Sequence, residues 1–231
     1  MKTENEIYGY SERGIFNSII YYLYFKQPDI IGDFLEKLGV SGFDNNKHTF
    51  TFLNEQSFSE FGDNDLTIIA EPKQGKGKTV IFIEGKRGEK FSLESEYGKI
   101  KTRKREGITS NLFIQLYFKY LLSKGNDTEV IDDCLNELIG KSNRKIGKNK
   151  IVLKARNEFV KNADKFYYVA IMPKQKDNSN TLGSFFKELK LMTDVIDDIR
   201  CAFWQDIEEF FSKNEAKNVI DNFEYNKGQI Y

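Results

Sequence analysis

The chain has 231 residues and balances 35 basic against 35 acidic side chains, so it has no net charge while its single histidine is neutral. Its length allows one substantial core, and 20 phenylalanines with 12 tyrosines exclude a disordered chain. The zero net charge excludes a polycation that binds nucleic acid through its total charge alone. Cys134 and Cys201 are far apart and form no CxxC pair, which leaves no cysteine zinc motif and is typical of a reducing compartment.

No apolar stretch approaches the length of a transmembrane helix, and the opening segment "MKTENEIYGYSERG" lacks the apolar region of a secretory signal. No internal repeat or low-complexity linker divides the chain, which favours a single domain. We therefore expect a soluble cytoplasmic protein without a membrane partner.

The first half of the chain alternates between helical and strand periodicity. A helix is predicted to begin at Ser11, a preferred N-cap residue, because apolar residues recur on one helical face, at Phe16, Ile19, Ile20 and Leu23. A second helix covers "DIIGDFLEKLG" and is closed by Gly39. Three strands follow, "HTFTFL", "DLTIIAEP" and "TVIFIEGK", and the turn "KQGKGK" joins the last two.

The second half is richer in helices. "SNLFIQLYFKYLLSKG" predicts a helix that is apolar on most faces and hence buried, and "TEVIDDCLNELIG" predicts another. "FYYVAIMP" predicts a strand that ends at Pro173. "LGSFFKELKLM" predicts a helix, and a longer amphipathic helix is expected to carry Ile196, Ile199, Phe203, Ile207 and Phe210. This order predicts an α/β fold with one domain over residues 1–231. A mixed central sheet flanked by helices would occupy about 8–175, and a helical C-terminal segment about 176–231.

The segment "QGKGKTVIFIEGKRG", residues 74–88, contains two patterns with different chemistry. "GKGKT" is similar to the end of a phosphate-binding P-loop, but Pro72 stands where the first glycine belongs. A P-loop also opens a helix, whereas these residues precede the strand-like "VIFIEGK". We therefore interpret "GKGKT" as a solvated hairpin turn.

The pattern E-x-K occurs four times, and only Glu84-Gly85-Lys86 lies on a predicted strand. Alternate side chains of a strand point to the same face, so Glu84 and Lys86 are expected side by side at the end of a buried strand. The other three matches lie on predicted helices or run into the turn.

Two further acids are expected near this pair. Asp65 begins the neighbouring strand, and pairing of the two strands as a hairpin would place it beside Glu84. Two carboxylates at one end of a sheet repel each other unless a cation lies between them, and oxygen ligands suit Mg²⁺. Glu12 precedes Phe16 by four residues and so lies at the head of the buried face of the first helix. Taken singly, each acid also has a plain structural explanation, Glu12 as a first-turn acid and the others as the ends of a loop or strand.

Asp65, Glu84 and Lys86, in this order, resemble the motif of the PD-(D/E)XK nuclease superfamily, and Glu12 resembles the acidic residue that many members carry on the first core helix. The strand-turn-strand spacing between Asp65 and Glu84 also resembles that of the family, while Asn64 departs from it by replacing the eponymous proline. The resemblance covers the first half of the chain. It implies a restriction-endonuclease-like fold, in which these acids bind Mg²⁺, with Mn²⁺ as a substitute, and phosphodiester bonds are hydrolysed.

Polar residues repeat every four positions on the helix "SNLFIQLYFKYLL", at Asn111, Gln115 and Lys119. Some nucleases of this superfamily place a glutamine and then a tyrosine on the corresponding helix near the metals, so the resemblance adds Gln115 to the candidate catalytic residues. Tyr120 is one residue late for that pattern. The plain structural interpretation of these three residues is a solvent-facing side of the helix.

Two basic segments are candidates for a DNA-binding surface. Residues 99–105 hold five basic side chains, and residues 141–156 hold seven without any acid, whereas acids concentrate at 194–209. A neutral chain can in this way carry a basic groove that binds phosphates, although charged segments are commonly only solvated surface. His48 lies at a strand start and is expected to be structural, which leaves histidine-based catalysis without a candidate.

These features predict a metal-dependent DNA endonuclease, such as a restriction or other defence enzyme. The predicted catalytic residues are Asp65, Glu84, Lys86, Glu12 and Gln115, and the predicted metal ligands are Asp65, Glu84 and Glu12. RNA stays open as an alternative substrate, as does action as a homodimer. The competing hypothesis is a catalytically inactive nuclease-fold protein that binds nucleic acid or a protein partner.

Overall fold

A five-stranded mixed sheet forms the centre of the computed structural model, which describes residues 8–88, 90–102, 108–125, 129–174 and 181–230. Across the sheet the strands are β1 (His48–Ser57), β2 (Asp63–Pro72), β3 (Thr79–Gly85), β6 (Lys165–Met172) and β7 (Ile199–Phe203). The pairs β1–β2 and β2–β3 are antiparallel, whereas β3–β6 and β6–β7 are parallel. A separate antiparallel pair joins β4 (Glu129–Ile131) to β5 (Asn143–Lys145). The predicted α/β fold with a mixed sheet is confirmed.

Helices cover both faces of this sheet. They are α1 (Ser11–Tyr21), α2 (Ile31–Lys37), α3 (Leu93–Lys101), α4 (Leu112–Lys124), α5 (Asp133–Ile139), α6 (Lys150–Lys154), α7 (Leu182–Leu189), α8 (Trp204–Lys213) and α9 (Lys217–Tyr225). Within the ranges that the structure describes, no helix is both long and apolar enough to cross a membrane.

The side chains of β3 alternate between two helical layers, as the two-residue period of a strand requires. Val80 and Phe82 are buried in the core that includes α4 and α7, whereas Ile81 and Ile83 are buried in the core that includes α1, α2, α8 and α9. Glu84 is the next residue on the α4 side. The strand therefore carries a charged group to the end of a layer that is otherwise apolar.

The predicted hairpin between β2 and β3 is confirmed. Ile68 pairs with Ile81 in antiparallel register, and residues 73–78 connect the strands. Gly75 and Gly77 in this connection have φ angles of 94° and 133°, which glycine adopts without a Cβ clash. Because "GKGKT" leads into β3 and not into a helix, the fold agrees with the hairpin interpretation and excludes the P-loop.

The expectation of one long helix through Ile196 and Phe210 was wrong. Residues 199–203 form the edge strand β7, parallel to β6, and the helix begins only at Trp204. Ile199 and Cys201 contact the α4 layer while Ala202 contacts the opposite layer, which is strand alternation. The same residues also fit helical spacing, and pairing with β6 decided between the two. The C-terminal segment expected at about 176–231 is thus not purely helical, because it supplies one strand of the central sheet.

Three smaller expectations also need correction. The predicted helix "TEVIDDCLNELIG" is the strand β4 followed by α5, because Asp132 ends the strand and its Oδ1 accepts a hydrogen bond from the Leu135 amide at 3.1 Å. Residues 93–101, for which no element was predicted, form α3, capped by Ser92. Ser11 is the first residue of α1 and has a φ of 62°, so it does not act as the predicted N-cap.

Candidate active site

Asp65 and Glu84 lie across from each other at one end of the β2–β3 hairpin. Leu66 pairs with Ile83, so the next position in the antiparallel register places Asp65 opposite Glu84. Oδ2 of Asp65 accepts a hydrogen bond of 2.7 Å from the Gly85 amide. The structure therefore brings these two predicted site residues together, as the hairpin pairing led us to expect.

Glu84 is almost completely buried, with 1% of its surface exposed. Its Oε1 lies 3.3 Å from Nζ of Lys119 on α4, which has no exposed surface. The pKa of Glu84 is raised to about 7, chiefly by burial; the charges of Lys119 and Lys86 lower this pKa, and the charge of Asp65 raises it. Burial likewise raises the pKa of Asp65, and the hydrogen bond from the Gly85 amide lowers this pKa by a smaller amount. Both carboxyl groups therefore lie where the ionised form is costly without a cation.

Lys119 was missed as a site residue. Its ammonium donates to the backbone carbonyls of Phe61 and Asp63, both at 3.0 Å. The expected solvent-facing side of this helix is wrong at two of its three positions, because Asn111 and Lys119 are buried. Asn111 caps α4 by accepting from the Phe113 amide. A lysine in the centre of an otherwise apolar helix was the available signal.

Lys86 and Gln115 are in direct contact. Nζ of Lys86 donates a hydrogen bond to Oε1 of Gln115, and both side chains are partly buried. The backbone of Lys86 is fixed on both sides, because its amide donates to the Ile171 carbonyl at 2.7 Å and its carbonyl accepts from Nε1 of Trp204 at 2.6 Å. The structure thus brings Gln115, a predicted site residue, next to Lys86.

Gly85 permits β3 to pack closely against Phe16 of α1 and Trp204 of α8. A Cβ at this position would lie 2.9 Å from the Trp204 ring and 3.1 Å from the Phe16 ring, closer than side chains normally approach. Any larger residue would push β3 away from α1 and α8.

Glu12 comes from the helical layer on the opposite face of the sheet. It lies in the first turn of α1, with its Oε2 3.3 Å from Nε of Arg87. Arg87 in turn donates to Gln229 at 3.1 Å and lies 5.6 Å from the Tyr10 ring centre. The Glu12 charge contributes to the raised pKa of Asp65, behind burial as the main cause. Glu12 therefore acts on Asp65 through its field while its own contact is with Arg87.

The described residues contain no group of three or more His, Cys, Asp and Glu side chains arranged to hold a metal ion. Two carboxylate oxygens of the site, Oε2 of Glu12 and Oε1 of Glu84, are buried and form no regular hydrogen bond, but each lies 3.3 Å from a cation of the protein, Arg87 and Lys119 respectively. These ion pairs partly offset the cost of burying the two carboxylates. Asp65 and Glu84, which the hairpin places opposite each other, offer oxygen ligands of the kind that Mg²⁺ prefers, whereas Glu12 comes from the other layer and contacts Arg87.

The C-terminal helix fixes the start of α1. Asn226, the C-cap residue of α9, accepts a hydrogen bond of 2.6 Å from the Ser11 amide and donates one of 2.9 Å to the Gly9 carbonyl. Asn222 accepts from the Gly9 amide at 2.8 Å. These contacts hold Ser11 in its left-handed conformation and so set the position of Glu12. These hydrogen bonds join residues more than 200 positions apart, so no local sequence pattern predicts them.

The basic segment at 141–156 is largely engaged in structural contacts. Arg144 is buried, donates to the Glu60 carbonyl and lies 4.0 Å from the Phe118 ring centre, and Arg156 is buried and donates to the Gly125 carbonyl. Three lysines form ion pairs with acids elsewhere in the chain, at Lys141, Lys145 and Lys154. Lys148 and Lys150 are exposed.

The other basic segment, 99–105, is described only in part. Lys99 and Lys101 pair with Glu96 and Glu188, and residues 103–105 lie outside the described residues. The His48 side chain contacts the Asp44 backbone and lies 5.2 Å from the Phe43 ring and 6.2 Å from the Phe50 ring, which agrees with a structural role.

Comparison with known proteins identifies no relative of this chain. No protein-family model, curated protein or solved structure matches it. The assignment of a function therefore depends on the geometry of the site.

Proposed function

We propose that the protein is a Mg²⁺-dependent nuclease with a restriction-endonuclease-like fold, which hydrolyses phosphodiester bonds of DNA. One observation carries this proposal: Asp65 and Glu84 face each other on adjacent buried strands, with Lys86 on the same face. Acid, acid and lysine in this arrangement combine cation binding with stabilisation of negative charge.

The donor set fits a hard cation. Asp65 and Glu84 would hold Mg²⁺, or Mn²⁺ in its place, and Glu12 would complete the ligands directly or through water. The facing carboxyl groups of Asp65 and Glu84 at one end of the hairpin support this assignment. When bound, the metal would lower the pKa of a ligated water and polarise the phosphate.

Lys86 and Gln115 would orient the attacking water and stabilise the transition state. The Lys86 ammonium would hold the attacking water and offset the charge that develops on the phosphate. Gln115 accepts a hydrogen bond from this ammonium, so it would keep Lys86 aimed at the reacting group. The backbone contacts of Lys86 with Ile171 and Trp204 restrict its motion further. Such preorganisation is the main source of electrostatic stabilisation in enzymes.

A second candidate function is a catalytically inactive nuclease-fold protein that binds nucleic acid or a protein. The observation that favours it is the pairing of two of the three acids with cations inside the protein, Glu84 with Lys119 and Glu12 with Arg87. A site whose charges are already paired has less need of a metal.

Cleavage assays separate the two functions. Supercoiled plasmid and end-labelled single-stranded DNA and RNA would be incubated with Mg²⁺, with Mn²⁺ and with chelator. We expect metal-dependent nicking by the parent protein and none by Asp65→Asn or Glu84→Gln. The matched control is Glu71→Gln, since Glu71 belongs to another E-x-K match at the opposite end of β2 and is half exposed. Cleavage that survives in Asp65→Asn, or no cleavage by any variant, would contradict the nuclease proposal.

A further inference from the structure

Lys119 combines complete burial with a fixed charge beside a predicted metal ligand. Its Nζ lies 3.0 Å from each of two backbone carbonyls, of Phe61 and Asp63, and 3.3 Å from Oε1 of Glu84. An ammonium group has three hydrogens to donate, so three oxygens account for its capacity. The two carbonyls precede and begin β2, the strand that carries Asp65. One side chain from α4 thereby ties together both strands of the site.

A buried lysine is rare unless it is paired, because the loss of hydration of an ammonium is costly. By contrast, the ion pair between Lys124 of α4 and Asp194 lies at the surface, where each of the two side chains is about half exposed. A leucine or methionine would fill the Lys119 position at less cost. The position therefore favours a charge because Glu84 requires one.

The charges of the site balance without any added ion. Three carboxylates face three cations: Glu12, Asp65 and Glu84 against Lys86, Arg87 and Lys119. A phosphodiester group adds one negative charge. With one divalent cation the net charge of the site is then about plus one, whereas with two it is about plus three. A second cation would therefore be repelled at short range by Lys119 and Lys86.

We propose that Lys119 is a positioning residue, a built-in counter-cation that holds the Glu84 carboxylate in place before any metal binds and that thereby limits the site to one divalent cation. The limit of one cation rests on the proposed nuclease function, whereas the counter-cation role does not. Lys119 contacts neither substrate nor metal in this proposal. It acts through Glu84.

The counter-cation role is tested without metal. Urea unfolding at pH 8 in chelator would compare the parent, Lys119→Gln, Glu84→Gln and the double variant. Lys119→Gln leaves the ionised Glu84 buried without its ion-pair partner, so we expect its unfolding constant to rise at least tenfold. The double variant is expected to be at least tenfold more stable than the two single effects predict. If Lys119→Gln does not fold, folding of the double variant shows the same coupling. Additive effects would overturn the counter-cation role.

The one-metal limit is tested by calorimetric titration of Mg²⁺ at pH 8.5. We expect one ion per parent chain and an apparent Kd at least tenfold lower in Lys119→Gln, because the metal then supplies the positive charge that was removed. Lys124→Gln, on the same helix, is the matched control and should match the parent. Two ions per parent chain, or an unchanged Kd in Lys119→Gln, would overturn the limit. An absence of Mg²⁺ binding in every variant would overturn both the limit and the nuclease proposal, while the unfolding data alone decide the counter-cation role.

Discussion

The indole Nε1 of Trp204 donates a hydrogen bond of 2.6 Å to the backbone carbonyl of Lys86. Trp204 is fully buried, and its ring meets those of Phe16 on α1 and Phe223 on α9 at 5.3 and 6.2 Å. It begins α8, directly after the edge strand β7. The end of the chain therefore fixes the backbone of a proposed catalytic lysine more than 100 residues earlier.

Trp204→Phe should loosen Lys86 while most of the aromatic packing remains. We expect a loss of stability of about 1–3 kcal/mol, since the Lys86 carbonyl loses its buried donor, and a fall in cleavage rate of about tenfold because Lys86 is less well aimed. Thermal unfolding and single-turnover cleavage would measure the two effects. Equal rates for parent and variant would show that this hydrogen bond does not position Lys86.

Lys86→Ala should separate the chemical step from metal binding. Lys86 is not a proposed ligand, so Mg²⁺ and DNA affinity should remain, while the cleavage rate falls about a hundredfold or more, as for the loss of one electrostatic stabiliser. Asp65→Asn should lose metal binding and cleavage together. Calorimetry beside single-turnover assays would check both, with Lys73→Ala as the control from another E-x-K match. Parental cleavage by Lys86→Ala would remove this lysine from the mechanism.

Glu84 should make the metal-free protein less stable as pH rises. Its pKa is raised by burial from 4.5 in the unfolded chain to about 7 in the folded one. Between these values the folded state binds more protons than the unfolded state, so the free energy of unfolding falls with increasing pH and levels off above pH 7. The raised pKa of Asp65 adds a loss of the same sign.

Urea unfolding in chelator from pH 4.5 to 8 would measure this dependence. We expect Glu84→Gln to have a shallower slope than the parent, and the exposed Glu71→Gln to keep the parental slope. An identical slope in Glu84→Gln would mean that the Glu84 carboxyl group has an ordinary pKa.

Asn226→Ala should misplace Glu12. The variant leaves the Ser11 amide without its acceptor and the Gly9 carbonyl without its donor, and we expect a loss of stability of about 2–3 kcal/mol. Cleavage should fall more than stability alone explains, since the first turn of α1 carries Glu12. Glu224→Ala, on the exposed side of the same helix, is the control for helix propensity. Full activity in a folded Asn226→Ala protein would argue against a role for Glu12.

Charge reversal in the basic segment at 141–156 should distinguish binding from structural residues. The pair Lys148→Glu and Lys150→Glu is expected to weaken DNA binding and to flatten its dependence on salt, because exposed lysines contact phosphates and release counterions. Arg144→Ala should instead lower the unfolding temperature, since Arg144 is buried against Phe118. Unchanged DNA affinity and salt slope in the lysine variant would identify this surface as merely solvated.

Local sequence patterns were sufficient for much of the fold. Short apolar runs rich in β-branched and aromatic residues located β2, β3 and β6, and the Lys/Gly-rich turn between β2 and β3 implied their hairpin. That hairpin alone placed Asp65 opposite Glu84, because register in a short hairpin follows from the turn and the buried face. These relationships join residues that are close in sequence, and their periodicity is a property of the backbone itself.

Only the tertiary structure decided the surroundings of the site. Residues 199–203 satisfy strand and helix spacing alike, and their pairing with β6 made them a strand. In the sequence Lys119 is only one polar residue of a predicted helix. In the folded chain Glu84 and two backbone carbonyls lie against its ammonium group. Asn226 reaches Ser11 across the whole length of the chain. The physical reason is the same in each case: burial of a polar group is favourable only when distant parts of the chain supply its partner, and no local pattern specifies which part that is.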